Sequence, residues 1–282
     1  MQERVLTHQD VLRILPERNV WSHKGDFGRV MLLCGSRGYT GAAALCAMGC
    51  LRSGAGLAYL CVPECIYTIE AVKLNEAVVI PFPDQDGAFS SSGTDLLRSY
   101  FDKMDVVVVG PGMGQTQGTM AVLQAVMEQF TGPVVVDADG INLLSRHMYL
   151  LRERTAPTII TPHIGEYRRI HPSADITQPD DAISFAKEFG CILVLKGHET
   201  LVTDGELCYR NKTGNPGMAV GGSGDLLAGM IGGLAAQGIP LLQAVAASVW
   251  LHGAAGDLAA ERLGQYAMLP TDSLEDLPRL MK

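Results

Sequence analysis

Arg29-Val30-Met31-Leu32-Leu33-Cys34-Gly35-Ser36-Arg37-Gly38-Tyr39-Thr40-Gly41-Ala42-Ala43-Ala44-Leu45 is the stretch on which the fold turns. Arg29–Cys34 is an unbroken apolar run after its first residue and reads as a strand. A strand that does not alternate polar with apolar is buried on both faces, the habit of parallel sheets. Gly35–Gly41 then forms a glycine-rich turn. Ala42–Leu51, rich in alanine, leucine and methionine, reads as a helix. Strand, glycine turn and helix together make half of a βαβ unit.

The same unit recurs along the chain. Leu57–Val62, Ala77–Ile80, Asp105–Val109, Val134–Val136, Thr158–Ile160 and Ile192–Leu195 read as further strands. A polar loop is expected from Ile80 to Gly93. Gln9–Leu15, Thr119–Gln129 and Ala182–Phe189 read as helices. Leu201–Val202 and Leu207–Tyr209, joined through Asp204-Gly205, read as a β-hairpin. The last third is helical, with Asp225–Ala236, Leu241–Arg262 and a short C-terminal helix. The expected fold class is α/β: a three-layer sandwich with a mostly parallel central sheet flanked by helices. One domain over residues 1–282 accounts for it, with no internal repeat.

Such sheets bind ligands beyond the C-terminal ends of their strands. On that edge this chain carries Gly35–Gly41, Gly110-Pro111-Gly112-Met113-Gly114, Asp137-Ala138-Asp139, Thr161-Pro162-His163 and Lys196-Gly197. Five loops loaded with glycine, carboxylate, imidazole and ammonium are hard to explain as connections alone.

Composition narrows the ligand. The chain has 282 residues, 47% of them apolar, a net charge of −8 and 32 glycines. Its pI is near 5.3 and its mean hydropathy +0.16. An acidic chain argues against a nucleic-acid partner. It leaves nucleotides open, since local amide dipoles hold phosphate in acidic proteins. No apolar run is long enough to span a membrane, and Met1–Pro16 lacks the apolar core of a signal peptide. A cytoplasmic location is expected. The seven cysteines form no metal-binding spacing and read as reduced core thiols.

Gly221-Gly222-Ser223-Gly224-Asp225 is the sharpest chemical signal. It opens an apolar helix, where unpaired amides and the positive dipole end form an anion site. Glycines let a phosphate approach the backbone without Cβ obstruction. Gly214-Asn215-Pro216-Gly217 lies just upstream. Asp225 falls in the first helical turn, where an acid is also favoured structurally. In a phosphoryl-transfer reading it contacts the acceptor hydroxyl. The dipole is expected to lower its pKa, which a loose transition state tolerates. The chain lacks a Walker-type P-loop and a GxGxxG fingerprint opening a helix. Asp26-Phe27-Gly28 matches a kinase magnesium triplet by coincidence, since nothing resembles the partner catalytic loop.

In Thr161-Pro162-His163-Ile164-Gly165-Glu166 a helix is expected to begin near His163. Glu166 reads first as a capping residue and second as a holder of magnesium or its water. His163 has no obvious core role there and is a candidate ligand contact. Asp137 and Asp139 point to one side if the chain is extended. They serve either magnesium and phosphate, or a turn and helix cap. Lys196, in Lys196-Gly197-His198-Glu199-Thr200, lies on the ligand edge.

Taken in order, these motifs resemble one family: the ADP- or ATP-dependent NAD(P)H-hydrate dehydratases of the ribokinase-like fold. The resemblance rests on His23–Val30, Gly35–Ala43, Ser53-Gly54-Ala55-Gly56-Leu57, Gly110-Pro111-Gly112, Asp137-Ala138-Asp139, Thr161–Glu166, Lys196-Gly197, Thr213-Gly214-Asn215 and Gly221–Asp225. These span nearly the whole chain. The resemblance implies that Ala42, Gly112, His163 and Asp225 line the hydrated dinucleotide, with Asp225 catalytic. It implies that Lys196, Gly197, His198, Glu199, Thr200 and Gly224 hold the phosphate-donor nucleotide. Gly221, Gly222, Ser223 and Gly224 would form the anion hole, and Glu166 is the candidate magnesium contact.

The implied reaction phosphorylates the ring hydroxyl of hydrated NADH or NADPH and expels phosphate, with ADP favoured over ATP. The resemblance further implies magnesium, a homotetramer and a functional partnership with an NAD(P)H-hydrate epimerase, a domain this chain is too short to include. A competing reading is a kinase of the same fold acting on a vitamin-like alcohol. His163, where such kinases often carry asparagine, and Lys196-Gly197 weigh against it. A non-catalytic nucleotide sensor is opposed by Asp225 and the intact anion loop.

Overall fold

In the computed structural model, residues 3–175 and 179–282 are described. Their strands are β1 (Glu3–Arg4), β2 (Arg29–Leu33), β3 (Leu57–Pro63), β4 (Val78–Phe82), β5 (Asp84–Gln85), β6 (Ala88–Phe89), β7 (Val106–Val109), β8 (Val134–Val136), β9 (Thr158–Ile160), β10 (Ile192–Leu195), β11 (Leu201–Thr203) and β12 (Cys208–Arg210). The helices are α1 (His8–Ile14), α2 (Thr40–Arg52), α3 (Glu64–Lys73), α4 (Thr94–Phe101), α5 (Gln117–Gln129), α6 (Asp139–Leu144), α7 (Tyr149–Glu153), α8 (Ile164–Ile170), α9 (Pro179–Phe189), α10 (Ser223–Ala235), α11 (Leu241–Leu263) and α12 (Pro270–Asp276).

Ten strands form one sheet in the order β1-β12-β11-β10-β9-β8-β7-β2-β3-β4. From β10 to β4 every neighbouring pair is parallel. The expected hairpin is β11–β12, its strands antiparallel to each other, with β11 also antiparallel to β10. The first strand, β1, closes that edge parallel to β12.

Alternate residues of the central strands serve opposite faces. Met31, Leu33, Val107, Val109, Val134 and Val136 pack with Val122, Leu123 and Val126 of α5, Tyr167 of α8 and Phe185 of α9. Val30, Leu32, Val106, Val108 and Val135 pack with Cys46 and Ala47 of α2, Leu227 and Ile231 of α10 and Val245 and Val249 of α11. Helices therefore cover both sides of a mostly parallel sheet, the three-layer arrangement expected from the sequence. The outer face of α10 packs in turn on α1, α11 and α12.

Some elements differ from expectation. The stretch read as polar loop contains the small β5–β6 hairpin. Helices α3 and α4 carry no apolar stripe long enough to announce themselves: α3 buries only Ile66 and Glu70, and α4 only Leu97 and Phe101. Six cysteines are buried and unpaired, and only Cys65 is exposed, as the thiol reading expected. Asp26 accepts from the His23 amide at 2.8 Å just ahead of β2, at the sheet edge opposite the glycine loops.

Candidate functional site

The five loops beyond the strand ends are laced to one another. Gly35 N–H donates to Pro111 O at 2.8 Å, and Ser36 Oγ donates to Gly112 O at 2.7 Å. Gly114 N–H donates to Asp139 Oδ2 at 2.9 Å. Thr161 Oγ1 and Lys196 Nζ donate to Asp137 Oδ1 at 2.6 and 2.7 Å. Lys196 N–H donates to Pro162 O at 2.8 Å, which sets His163 beside Lys196 across a lone β-bridge.

Asp137 and Asp139 do not face one way. Ala138 has φ 48°, a left-handed conformation that a side chain adopts at a cost. The chain is therefore not extended here, and the two carboxylates diverge. Asp137, 1% exposed, turns in to Lys196, while Asp139 turns to Gly114 and Gln115. Burial works to lower the Lys196 pKa, but Asp137, with Glu166 and Asp225 adding, outweighs it and holds the ammonium above its ordinary value.

Against this pair stands the start of α10. Gly222, with φ 95°, is its N-cap. A Cβ there would collide with Leu45 as well as strain the backbone, so glycine is required. A Cβ on Gly224 would lie 3.4 Å from Lys196 Nζ and 3.9 Å from Asp137 Oδ2. The anion loop, the ammonium and the buried carboxylate thus share one locus. Asp225 sits one residue on, and its pKa is pushed up to about 6. Burial is the largest cause and Asp137 the next, with Lys196 opposing and Asp139 adding. The expected lowering by the helix dipole is overturned, because loss of water and two carboxylates outweigh it. A carboxylate near 6 is a competent base at neutral pH.

A cavity of about 910 Å³ opens in front of this locus. Its walls include Lys196, Gly197, His198, Glu199, Thr200 and Gly224, the residues expected to hold a nucleotide, with His163, Gly221 and Ser223. Apolar wall comes from Met218, Leu227 and Val249, and polar wall from Asn211, Thr213 and Asn215. Ala42 and Gly112 lie apart from that lining, together: a Cβ on Gly112 would approach Ala42 Cβ to 2.7 Å. Gly112 also has φ 60°, so a side chain is excluded on both counts. The expected residues therefore form two groups, and Asp225, itself not part of the cavity wall, feels the charges of Asp137, Lys196 and Asp139.

His163 and Glu166 make a helix cap. His163 Nδ1 accepts from the amides of Gly165 and Glu166 at 2.9 and 3.2 Å. Glu166 Oε2 accepts from the His163 amide at 2.9 Å, and its other oxygen lies 3.4 Å from His163 Nε2. Glu166 is 5% exposed, and burial raises its pKa, with Lys196 opposing.

Two residues of α11 at or behind this wall escaped the sequence reading. Asp257, on α11, accepts from Gly214 N–H at 2.8 Å and Asn215 Nδ2 at 3.0 Å, anchoring the Gly214–Gly217 turn. His252 lines the cavity from the same helix. The only sequence signal for either is a polar residue in a run of alanine and glycine, which describes many buried helices equally well.

The site invites comparison with known proteins. A relative named bifunctional NAD(P)H-hydrate repair enzyme, from Moorella thermoacetica, is 38% identical over 99% of this chain and 54% of its own. The chain thus spans about half the length of the bifunctional relatives it matches. An ADP-dependent (S)-NAD(P)H-hydrate dehydratase from Lactiplantibacillus plantarum is 35% identical, covering 98% of this chain and 96% of that one. A solved structure of the ADP/ATP-dependent NAD(P)H-hydrate dehydratase of Bacillus subtilis, co-crystallised with ATP and Mg2+, superposes with a TM-score of 0.81 at 29% identity, covering 99% of this chain and 98% of that one. The ribokinase-like fold is shared throughout. The family model described as NAD(P)H-hydrate dehydratase matches residues 30–279, and the chain belongs to that family.

Proposed function

We propose that the protein dehydrates the S form of hydrated NADH or NADPH at the expense of a nucleotide phosphate, restoring the dihydronicotinamide. The observation that carries this reading is the Lys196–Asp137 pair set against the Gly221–Gly224 amides, one residue ahead of Asp225, at a cavity large enough for a nucleotide.

The chemistry follows from these residues. Asp225 accepts a hydrogen bond from the ring hydroxyl and aims its oxygen at the terminal phosphorus of ADP. The hydroxyl oxygen bonds to phosphorus as the bond to the leaving AMP breaks. The proton passes to Asp225, whose pKa near 6 suits an acceptor. Lys196 and the loop amides stabilise the charge on the transferred group. The ring-nitrogen lone pair then expels phosphate as the C–O bond breaks, and loss of a proton from the neighbouring ring carbon restores the double bond. Products are NAD(P)H, AMP and phosphate.

Magnesium bound to a nucleotide draws most ligands from phosphate and water, plus one or two carboxylates. The Asp137 and Glu166 carboxylates near Lys196 fit that limited role. A cage of three or more protein donors is absent among the described residues, and none is needed. The ion would offset phosphate charge. Ala42 and Gly112 form the dinucleotide side of the site, with His163 and Asp225, while Lys196–Thr200 and Gly224 form the nucleotide side. ADP is taken as the preferred donor, in line with the names of full-length relatives. A cytoplasmic homotetramer working beside an epimerase completes the proposal. The bifunctional relatives' names support the partnership. No described helix is long and apolar enough to cross a membrane.

Turnover of hydrated NADH with magnesium and ADP or ATP tests the reading, followed by the return of dihydronicotinamide absorbance and by phosphate release. Recovery that requires nucleotide supports it and names the donor. A stable phosphate ester on a vitamin-like alcohol, with no recovery, would instead establish the kinase reading.

A further inference from the structure

His252 has no part in the roles assigned above, yet it stands at the anion loop. It lies on α11, is 9% exposed, and forms part of the cavity wall beside Ser223, Gly224 and Lys196. Its Nε2 is 3.4 Å from Ser223 Oγ, the one hydroxyl in the Gly221–Asp225 stretch.

A serine hydroxyl facing an anion can donate only one proton, and it must point at the anion to do so. Its lone pairs then need a donor behind them. A bare imidazole nitrogen in that place would take the hydroxyl proton for itself and turn oxygen lone pairs toward the phosphate. A ring nitrogen that carries hydrogen does the opposite. We propose that His252 is a positioning residue whose Nε2–H donates to Ser223 Oγ, committing the serine proton to the terminal phosphate of the bound nucleotide.

The neutral ring suits this task. Burial, aided by the Lys196 ammonium and opposed by a bond to the Ser223 backbone, pushes the His252 pKa down to about 4. Around neutrality the ring therefore adds no cation to the Lys196 site. The distance of 3.4 Å is long for a hydrogen bond, and such contacts tighten when ligand arrives.

The inference rests on the cavity being the nucleotide site, and its test reads nucleotide binding rather than turnover. ADP with magnesium is titrated calorimetrically into wild type, His252→Leu, His252→Gln, Ser223→Ala and the Ser223→Ala/His252→Leu double variant, each first checked for a cooperative melt. His252→Leu and Ser223→Ala are each expected to weaken ADP by roughly tenfold or more, the scale of a hydrogen bond to a charged group. The double variant should be no weaker than the worse single variant. His252→Gln, which keeps a side-chain N–H, should recover most of the affinity. A His252→Leu protein within twofold of wild type overturns the proposal, as do losses that multiply in the double variant. If His252→Leu does not fold, Ser223→Ala and His252→Gln decide alone: an unchanged Ser223→Ala overturns it. Wild type that binds ADP but restores no NADH sinks the dehydratase reading and leaves this inference standing. Wild type that binds no ADP overturns both.

Discussion

Asp225 concentrates the chemistry in one carboxyl, and its environment works against folding. Its folded pKa of about 6 lies above the ordinary 3.8, so between those values the folded chain holds more proton than the unfolded one. Its contribution to stability therefore falls as pH rises through that window. At pH 7 the ionised group costs folding about 1–3 kcal/mol, allowing for its partial exposure. Asp225→Asn should raise stability by about that amount at pH 7 in urea unfolding, with the gain fading toward pH 4. The same variant should lower turnover by roughly 10²–10⁴-fold while ADP still binds. Unchanged turnover would sink the assigned role. Wild-type turnover should fall as pH drops through about 6, where Asp225 protonates. A flat profile from pH 5 to 7 would contradict the base role.

Lys196 carries a separate risk. Removing its ammonium strands the carboxylate of Asp137, which is 1% exposed and then keeps, among the described residues, only the Thr161 hydroxyl as a hydrogen-bond donor. Lys196→Met should cost about 3–5 kcal/mol in urea unfolding. Adding Asp137→Asn should recover much of that stability without recovering ADP affinity, since the ammonium is still missing. The sequence placed both residues on the ligand edge. It could not pair them, because they lie 59 positions apart and meet only when β8 and β10 are set around β9.

At the scale of elements, helix α5 shows how a side chain far from the chemistry holds the scaffold. Its last carbonyls run out of helical amides beyond Val126 O, which takes the Phe130 amide at 3.1 Å. Arg154 makes up the shortfall, donating to Val126 O at 3.3 Å and to Met127 O and Phe130 O at 2.7 Å. It also bonds Gly132 O at 2.6 Å and Thr158 Oγ1 at 3.1 Å, tying α5 to the start of β9. Burial pushes its pKa down to about 10, so it stays charged at neutral pH. Arg154→Met should destabilise the protein by about 2–4 kcal/mol, measured by urea unfolding. Turnover per folded molecule should not change, because these carbonyls lie at the opposite sheet edge from Asp225. The N-terminus of α5 carries a local signal, since Thr116 Oγ1 accepts from Thr119 N–H at 3.1 Å in the usual capping pattern, yet the helix begins at Gln117, two residues before the expected Thr119. The tie at its C-terminus carries none, for it reaches across 22–28 residues.

For the whole molecule, the binding edge joins loops from β2, β7, β8, β9 and β10 to the start of α10. A ligand held across them stabilises the entire domain by mass action. ADP with magnesium at 100 times its dissociation constant should add about 2.7 kcal/mol, or roughly 5 °C in melting temperature for a chain of this size. No shift at saturating ADP would mean the cavity is not the nucleotide site.

Local pattern along the chain carried much of the fold. Unbroken apolar runs such as Val106–Val109 declared a parallel sheet buried on both faces. Glycines placed the tight turns, and Gly221–Asp225 declared a helix start able to take an anion. The tertiary structure alone decided how these parts act on each other. The left-handed turn at Ala138 split two carboxylates that extended chain would have aligned. Burial with two neighbouring acids raised the Asp225 pKa against its helix dipole. Packing of α11 beside α10 brought His252 to Ser223. Backbone preference is set by a few adjacent residues. Desolvation and charge–charge energy are summed over every group nearby in space, and most of those groups are distant along the chain.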